Sequence, residues 1–297
     1  MTRPTFLGNN RQIQHRLTAA YDKFNKSADQ VASQKAFVRP SDDPVAASQA
    51  SLLQERLDHL DAVGRSADDA LARLNVTDAK LTQIGDSYNR IRELMLQAAN
   101  GTMSSDSRGA IASELAQIRD GIVAVANSEY LGLPLFAGLS ADPAVDGEPG
   151  DWTLQGDADT GRIERRISPS ESIRVNVTAG ELFANDDGDL FSFLDSMIDD
   201  LTTGDGQEVV QGLDTIDGLR STLFEAHASI GAAANRADTA VNRNAATSIS
   251  IENQLSLIRD VDLAEAITRQ TMLQTAYEAA LSVTGKTMGL SIMDFLR

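Results

Sequence analysis

Few residues in this chain have types and spacings that could do chemistry. Residues 283–287 (VTGKT) match the second half of a phosphate-binding loop, whose backbone amides and lysine cradle a polyphosphate. The leading glycine of that motif falls at Ala280, and no strand-like segment precedes it, so the run reads as a helix interior carrying a glycine. Residues 185–189 (NDDGD) gather carboxylates as a calcium loop does. They lack its alternating ligand spacing and distal Glu, which leaves a solvated acidic turn. His15, His59 and His227 stand far apart with no HxxxH or HExxH partner, so a zinc site is not expected. His59 reads as a helix-surface residue, and His227, at a seam position, as a buried, hydrogen-bonded core histidine in preference to a subunit contact. No serine lies in a GxSxG elbow with triad partners, and the absence of cysteine removes thiolate nucleophiles, thiolate metal sites and disulfides together. The reading is therefore of a non-enzyme, with no catalytic, cofactor-binding or metal-binding residue and no cofactor.

Composition narrows the class further. The 297 residues are 42% hydrophobic and 23% charged, which is ordinary for globular protein, but only 5% are aromatic. Burial must rest on Leu, Ile, Val and Ala, as in helical bundles. A formal net charge of −17 disfavours a nucleic-acid partner, which calls for a basic surface. No apolar run approaches the roughly 20 residues needed to cross a bilayer, so membrane insertion is not expected.

The elements that carry these residues are mostly helical. Ile13, Leu17, Ala20, Phe24, Ala28 and Val31 fall at three- and four-residue steps, which predicts an amphipathic helix within residues 1–38. Through residue 39 this segment holds seven Lys and Arg against Asp22 and Asp29. Pro40, Ser41, Asp42, Asp43 and Pro44 then predict a sharp joint. Pro40 pushes Arg39 out of helical geometry, Pro44 suits the first turn of a new helix, and the residues between offer caps. The next stripe reads Leu57, Leu60, Gly64, Ala67, Leu71 and Leu74. It shifts phase near Asp78 and resumes at Leu81, Ile84, Tyr88, Ile91, Met95 and Ala98, a heptad seam with a stutter. Asn100 and Gly101 signal its end, and a third helix follows Ser104–Asp106 with Ile111, Leu115, Ile118, Ile122 and Val125.

Residues 138–206 read as a β-rich insert. Apolar–polar alternation appears at 151–155, 162–167 and 172–177, and a short helix from Leu190 to Leu201 closes the segment. Residues 141–208 hold 17 Asp and Glu against four Arg. The longest regular stripe follows, from Leu213 through Ile216, Arg220, Leu223, His227, Ile230, Ala234, Ala237, Val241, Asn244, Ser248, Ile251 and Leu255 to Ile258. One helix of that extent is roughly 68 Å long. A last amphipathic helix carries Leu263, Ile267, Leu273, Tyr277 and Leu281 and runs on to Phe295 and Leu296. The predicted fold is mainly α with a β-rich insert: a long antiparallel helical rod (41–137 and 207–259), terminal coiled-coil helices (1–40 and 260–297) and a small outer β domain (138–206).

Residues 39–47 (RPSDDPVAA) between two helices are similar to the N-terminal signature of the flagellar hook-filament junction proteins of the flagellin family. At the other end, residues 260–266 (DVDLAEA) and 290–296 (LSIMDFL) resemble that family's closing helix. Ala126 and Asn127, followed by residues 135–138 (LFAG), look like its exit from rod to outer domain. Where the family usually has a glycine near the end of the first helix, this chain has Gln34. The resemblance covers both outer thirds in the right order and fits the smaller junction proteins better than filament flagellins.

What it implies is a structural subunit exported by the flagellar type III apparatus to the extracellular flagellum. There it would form a ring with copies of itself, between the first hook-filament junction protein and flagellin, with a flagellar export chaperone on its C-terminal helix. Ile13, Leu17, Phe24 and Val31, with Leu263, Ile267, Leu273, Tyr277, Leu281, Phe295 and Leu296, would be the assembly contacts. Their stripes have no other core nearby, and exposed stripes seek partner helices. A short filament flagellin, or a secreted coiled-coil adhesin using the acidic insert for recognition, are the alternative readings.

Overall fold

The computed structural model describes residues 6–99, 103–155, 161–185, 188–203 and 208–295. Among the described residues there are seven helices: α1 (Phe6–Ser33), α2 (Pro44–Ala98), α3 (Ser105–Ala126), α4 (Ala179–Phe183), α5 (Leu190–Thr203), α6 (Glu208–Arg259) and α7 (Leu263–Phe295). The strands form four separate antiparallel hairpins: β1 (Glu129–Tyr130) with β2 (Leu133–Pro134), β3 (Val145–Glu148) with β4 (Asp151–Leu154), β5 (Glu164–Ser168) with β6 (Glu171–Arg174), and β7 (Ala184–Asn185) with β8 (Gly188–Asp189). The molecule is thus mainly α with a small β insert. It divides into two compact units, one drawn from residues up to His59 and from Thr247 on, the other from Leu60 to Ala246. Helices α2 and α6 contribute residues to both.

The Leu60–Ala246 unit contains one contiguous apolar cluster, running from Ala67 to Ala240. From Leu60 on, α2 carries a buried seam at Leu60, Val63, Ala67, Ala70, Leu74, Thr77, Leu81, Ile84, Tyr88, Ile91, Met95 and Ala98, beside which Arg73, Gly85 and Leu94 are also buried. The spacing of the seam is three and four throughout, so the stutter expected near Asp78 does not exist. Thr77 fills the position that apolar patterning skips. Its hydroxyl donates to Arg73 O at 2.9 Å, which satisfies the polar group inside the core. Gly64 and Leu71 flank this seam half-buried.

In α6 the expected seam is correct at Ile216, Leu223, Ile230, Ala237, Asn244, Ile251 and Leu255, but one residue late at Arg220 and Val241, where Leu219 and Ala240 are the buried residues. Arg220 and His227 therefore sit at the seam's edge. His227 is not a core residue: it keeps about a third of its side chain exposed and pairs with Asp78 of α2 at 2.8 Å. Arg92 of α2 meets Asp217 of α6 at 2.8 Å, so residue numbers rise along one helix as they fall along the other, and the two run antiparallel. Arg90 reaches across from α2 to Glu114 of α3 at 2.7 Å.

The insert is held by side chains, because two-stranded hairpins are marginal on their own. Asn127, the C-cap of α3, donates to Val145 O at 2.7 Å and accepts from Val145 N at 2.9 Å, a two-point clasp on the first residue of β3. Gly138, in the left-handed region at φ +67°, lies where a Cβ would stand 2.9 Å from Gly161 Cα, so glycine is required there. Thr178 and Glu181 form a reciprocal capping box that starts α4. Asp189 of the acidic turn accepts from Phe191 N and Ser192 N at 2.9 Å and so initiates α5. Asp186 and Asp187 lie outside the described residues.

The strongest tie is Asp195 on α5. It accepts from the Trp152 indole and from Gly150 N, both at 2.7 Å, and pairs with the largely buried Arg119 of α3, whose guanidinium lies 5.7 Å from the Trp152 ring centroid. Trp152 also packs against Phe191 at 5.5 Å. One carboxylate thereby fastens hairpin β3–β4 to two helices, and removing it leaves the largely buried Arg119 with only the exposed Asp120 to pair with, and the Trp152 indole and Gly150 amide without their acceptor. Asp195→Ala is expected to cost about 2 kcal/mol. The emission of the sole tryptophan should shift to the red in a denaturant titration; wild-type emission and midpoint would contradict the role given to Asp195.

Candidate functional site

The unit holding both chain ends is built differently. Helix α1 packs against α7. Ile13, Leu17, Ala20, Phe24 and Val31 are half-buried and Ser27 is buried, while the matching seam on α7 is Ala266, Gln270, Leu273, Tyr277, Ala280 and Thr284. Phe24 stacks on Tyr277 with ring centroids 6.2 Å apart, and Tyr21 meets the same ring at 5.5 Å. Stacked and tilted aromatic pairs of this kind add to simple burial. Leu273 and Tyr277 lie in this seam. Leu263, Ile267 and Leu281 do not: they form an adjoining face of α7 that is 41%, 46% and 49% exposed. Phe295 falls in the last turn of α7, and Leu296 lies outside the described residues.

The joint between α1 and α2 has the chemistry its residues suggest. Asp43 is the cap of α2, accepting from Ala46 N at 2.9 Å, and Pro44 opens the helix where an amide hydrogen is dispensable. Asp42 closes the preceding turn by accepting from Arg39 N at 3.1 Å and pairs with Lys26 of α1 at 3.1 Å. The Lys26 hydrogen bond, followed by the Arg39 amide, holds the Asp42 carboxyl below its ordinary value of 3.8. Pro40 and Ser41 form the exposed turn itself.

At the end of α1 the chain crosses the α6–α7 break. Ala36 N donates to Arg259 O at 2.7 Å and Val261 N to Gln34 O at 3.1 Å, making Lys35 and Asp260 an isolated antiparallel bridge. Gln34 stands at φ +57°, the left-handed conformation that glycine adopts readily after a helix. Gln34, where the resemblance leads one to expect glycine, thus takes the conformation that glycine favours. Asp262 starts α7 by accepting from Ala264 N at 2.9 Å.

The chemical motifs considered in the sequence do not converge. Residues 283–287 lie within α7, His15 is exposed on α1, and His59 is exposed on α2. Among the described residues no group of three or more His, Asp and Glu side chains could hold a metal ion, and no helix is long and apolar enough to cross a membrane. Sequence reasoning missed the Gln34–Ala36 crossing and the β1–β2 hairpin. The first had a signal in the helix ending at Ser33, and the second in Gly132 between two short apolar pairs.

Two outcomes follow. Gln34→Gly relieves a left-handed side chain and should raise the stability of the terminal unit by about 1 kcal/mol in a thermal or urea melt; destabilisation would show that the Gln34 side chain carries a needed contact. Because the folded Asp42 value is depressed, its contribution is present above the unfolded pKa of about 3.9 and fades as pH falls through the folded value. A carboxyl NMR titration should give Asp42 a midpoint below 3.8 that rises in Lys26→Met; a midpoint indifferent to Lys26 would contradict the pairing.

Known proteins share this arrangement. The profile of the bacterial flagellin N-terminal helical region matches residues 7–141, and that of the bacterial flagellin C-terminal helical region matches residues 213–296. Flagellar hook-associated protein 3 of Escherichia coli (strain K12) is 27% identical over 303 residues, covering 94% of each chain. The flagellar filament 30.7 kDa core protein of Treponema maltophilum is 22% identical over 297 residues, covering 96% of this chain and 99% of its own. The solved flagellar hook-associated protein 3 of Legionella pneumophila superposes with a TM-score of 0.63 at 15% identity, covering 70% of this chain and 98% of its own, which speaks to the fold alone. With matches at both ends that together span most of its length, the chain belongs to the bacterial flagellin family.

Proposed function

We propose that this chain is a structural subunit of the bacterial flagellum that joins hook to filament and assembles with copies of itself through its terminal helices. The observation that carries the reading is the face of α7 formed by Leu263, Ile267 and Leu281, left exposed beside the seam that α1 covers. Such a face on a helix is a surface for another helix. Near-complete coverage by the Escherichia coli relative named flagellar hook-associated protein 3 favours the junction role. The terminal helices (1–40 and 260–297) would form the inner layer, the remaining helices (41–137 and 207–259) the rod, and residues 138–206 the outer part. The first hook-filament junction protein, flagellin and an export chaperone would be its partners.

A filament subunit is the second reading, favoured by the Treponema relative of nearly equal length. Purified protein seeded on hooks separates the two: under electron microscopy a junction subunit stops at a short collar, and a filament subunit extends. Deleting residues 263–297 should abolish incorporation into flagella while the circular dichroism of the remaining chain stays helical; a truncated chain that still joined hook to filament would refute the proposal.

A further inference from the structure

An aspartate followed by glycine can be attacked by its own chain, because the glycine amide has no side chain to shield it. Among the described residues such pairs stand at Asp120–Gly121 in α3, Asp217–Gly218 in α6 and Asp146–Gly147 in β3. In the two helices the glycine amide belongs to the helical ladder, and Asp217 also pairs with Arg92. In β3 the amide is differently placed. Gln155 N donates to Ala144 O at 2.8 Å, so Ala144, Asp146 and Glu148 exchange hydrogen bonds with the strand opposite, and the amides of Val145 and Gly147 face the other edge. Val145 N accordingly meets Asn127. The acceptor of Gly147 N is the carboxylate of Asp146, its own neighbour, at 3.0 Å, and both residues are exposed.

Two further features favour reaction at this place. The Thr153 hydroxyl donates to Asp146 O at 3.1 Å, and polarising that carbonyl makes the proton of the conjugated Gly147 amide more acidic. The backbone also demands glycine: at φ +127° a Cβ on residue 147 would run into Asp151 O, so no side chain can come to protect the nitrogen.

We propose that Asp146 is a self-modification site, at which the Gly147 nitrogen closes onto the Asp146 carboxyl. The carboxyl, in its acid form, gives up its OH and the amide its proton, which leave together as water while the N–Cγ bond forms a cyclic imide. Water then opens the ring. Attack at Cγ restores aspartate, and attack at the former peptide carbonyl leaves isoaspartate, whose main chain runs through Cβ and Cγ. One water is lost and one regained, with no oxidation or reduction. The extra main-chain carbon falls between two clasps, Asn127 on Val145 and Asp195 on Gly150, so the altered hairpin cannot keep both in register.

Full-length protein kept at neutral pH in water enriched in heavy oxygen reports each ring opening, which places a labelled oxygen in a carboxyl. Digestion in ordinary water and peptide mass spectrometry then locate the label. The incubation lasts until a free peptide of residues 141–155 is labelled. Label at Asp146 is expected at least tenfold above that at Asp120 and Asp217, and it should fall to their level in Asp146→Glu, whose larger ring closes far more slowly. Emission of Trp152 should drift to the red in the ageing wild type as its bond to Asp195 is lost, and hold steady in Asp146→Glu. Equal label at the three sites, or none at Asp146, overturns the proposal; label at Asp146 with steady Trp152 emission overturns the consequence drawn for the hairpin.

Discussion

An amphipathic helix is stable to the extent that something covers its apolar face, and in this chain that cover is unequally shared. The contiguous core lies wholly within the Leu60–Ala246 unit. In the terminal unit the buried hydrophobic residues are Ala50, Ile251, Leu255 and Ala266, while eleven of the sixteen large apolar side chains exposed among the described residues belong to it. Covering each half-exposed side chain contributes about 1 kcal/mol. Eleven of them represent on the order of 10 kcal/mol, comparable to the whole stability of an ordinary domain. That reserve is realised only against another surface.

The pairing of α1 with α7 satisfies part of this demand and shapes the rest. Its seam uses small and polar residues on α7, among them Ala266, Gln270, Ala280 and Thr284, with Tyr21, Phe24 and Tyr277 as its aromatic centre. Small residues let two helices approach closely but bury little area, so the pair registers the chain ends without making an independent core. The Lys35–Asp260 bridge ties the two crossings in the same register, and the Lys26–Asp42 pair fixes the exit into α2. Assembly contacts then act on a partly organised hairpin and not on two free strands of chain, which reduces the ordering cost of docking.

Much of this was legible in the residues. The proline-bracketed joint, the Ser104 and Asp43 caps, the three alternating segments of the insert and the closing α5 follow from local rules, and the structure has each of them. What escaped was set by contacts distant in sequence. Thr77 reads as a break in a heptad because its hydroxyl turns back on its own helix, invisible to apolar counting. His227 reads as core because periodicity cannot separate the middle of a seam from its edge, which Asp78, 149 residues away, decides. The Arg119–Asp195–Trp152 cluster unites three segments that no local pattern connects. The Leu131–Gly132 turn was missed because turn preference points to Asn or Asp where Leu131 stands.

The most direct measurement of the central claim is hydrogen exchange on full-length protein, free and incorporated into flagella. If the ends depend on neighbours for burial, amides of α1 and α7 exchange in the free chain far faster than those of α2 between Leu60 and Ala98, and they slow by orders of magnitude on incorporation. Equal protection of α1, α7 and the α2 core in the free chain, unchanged on incorporation, would contradict it.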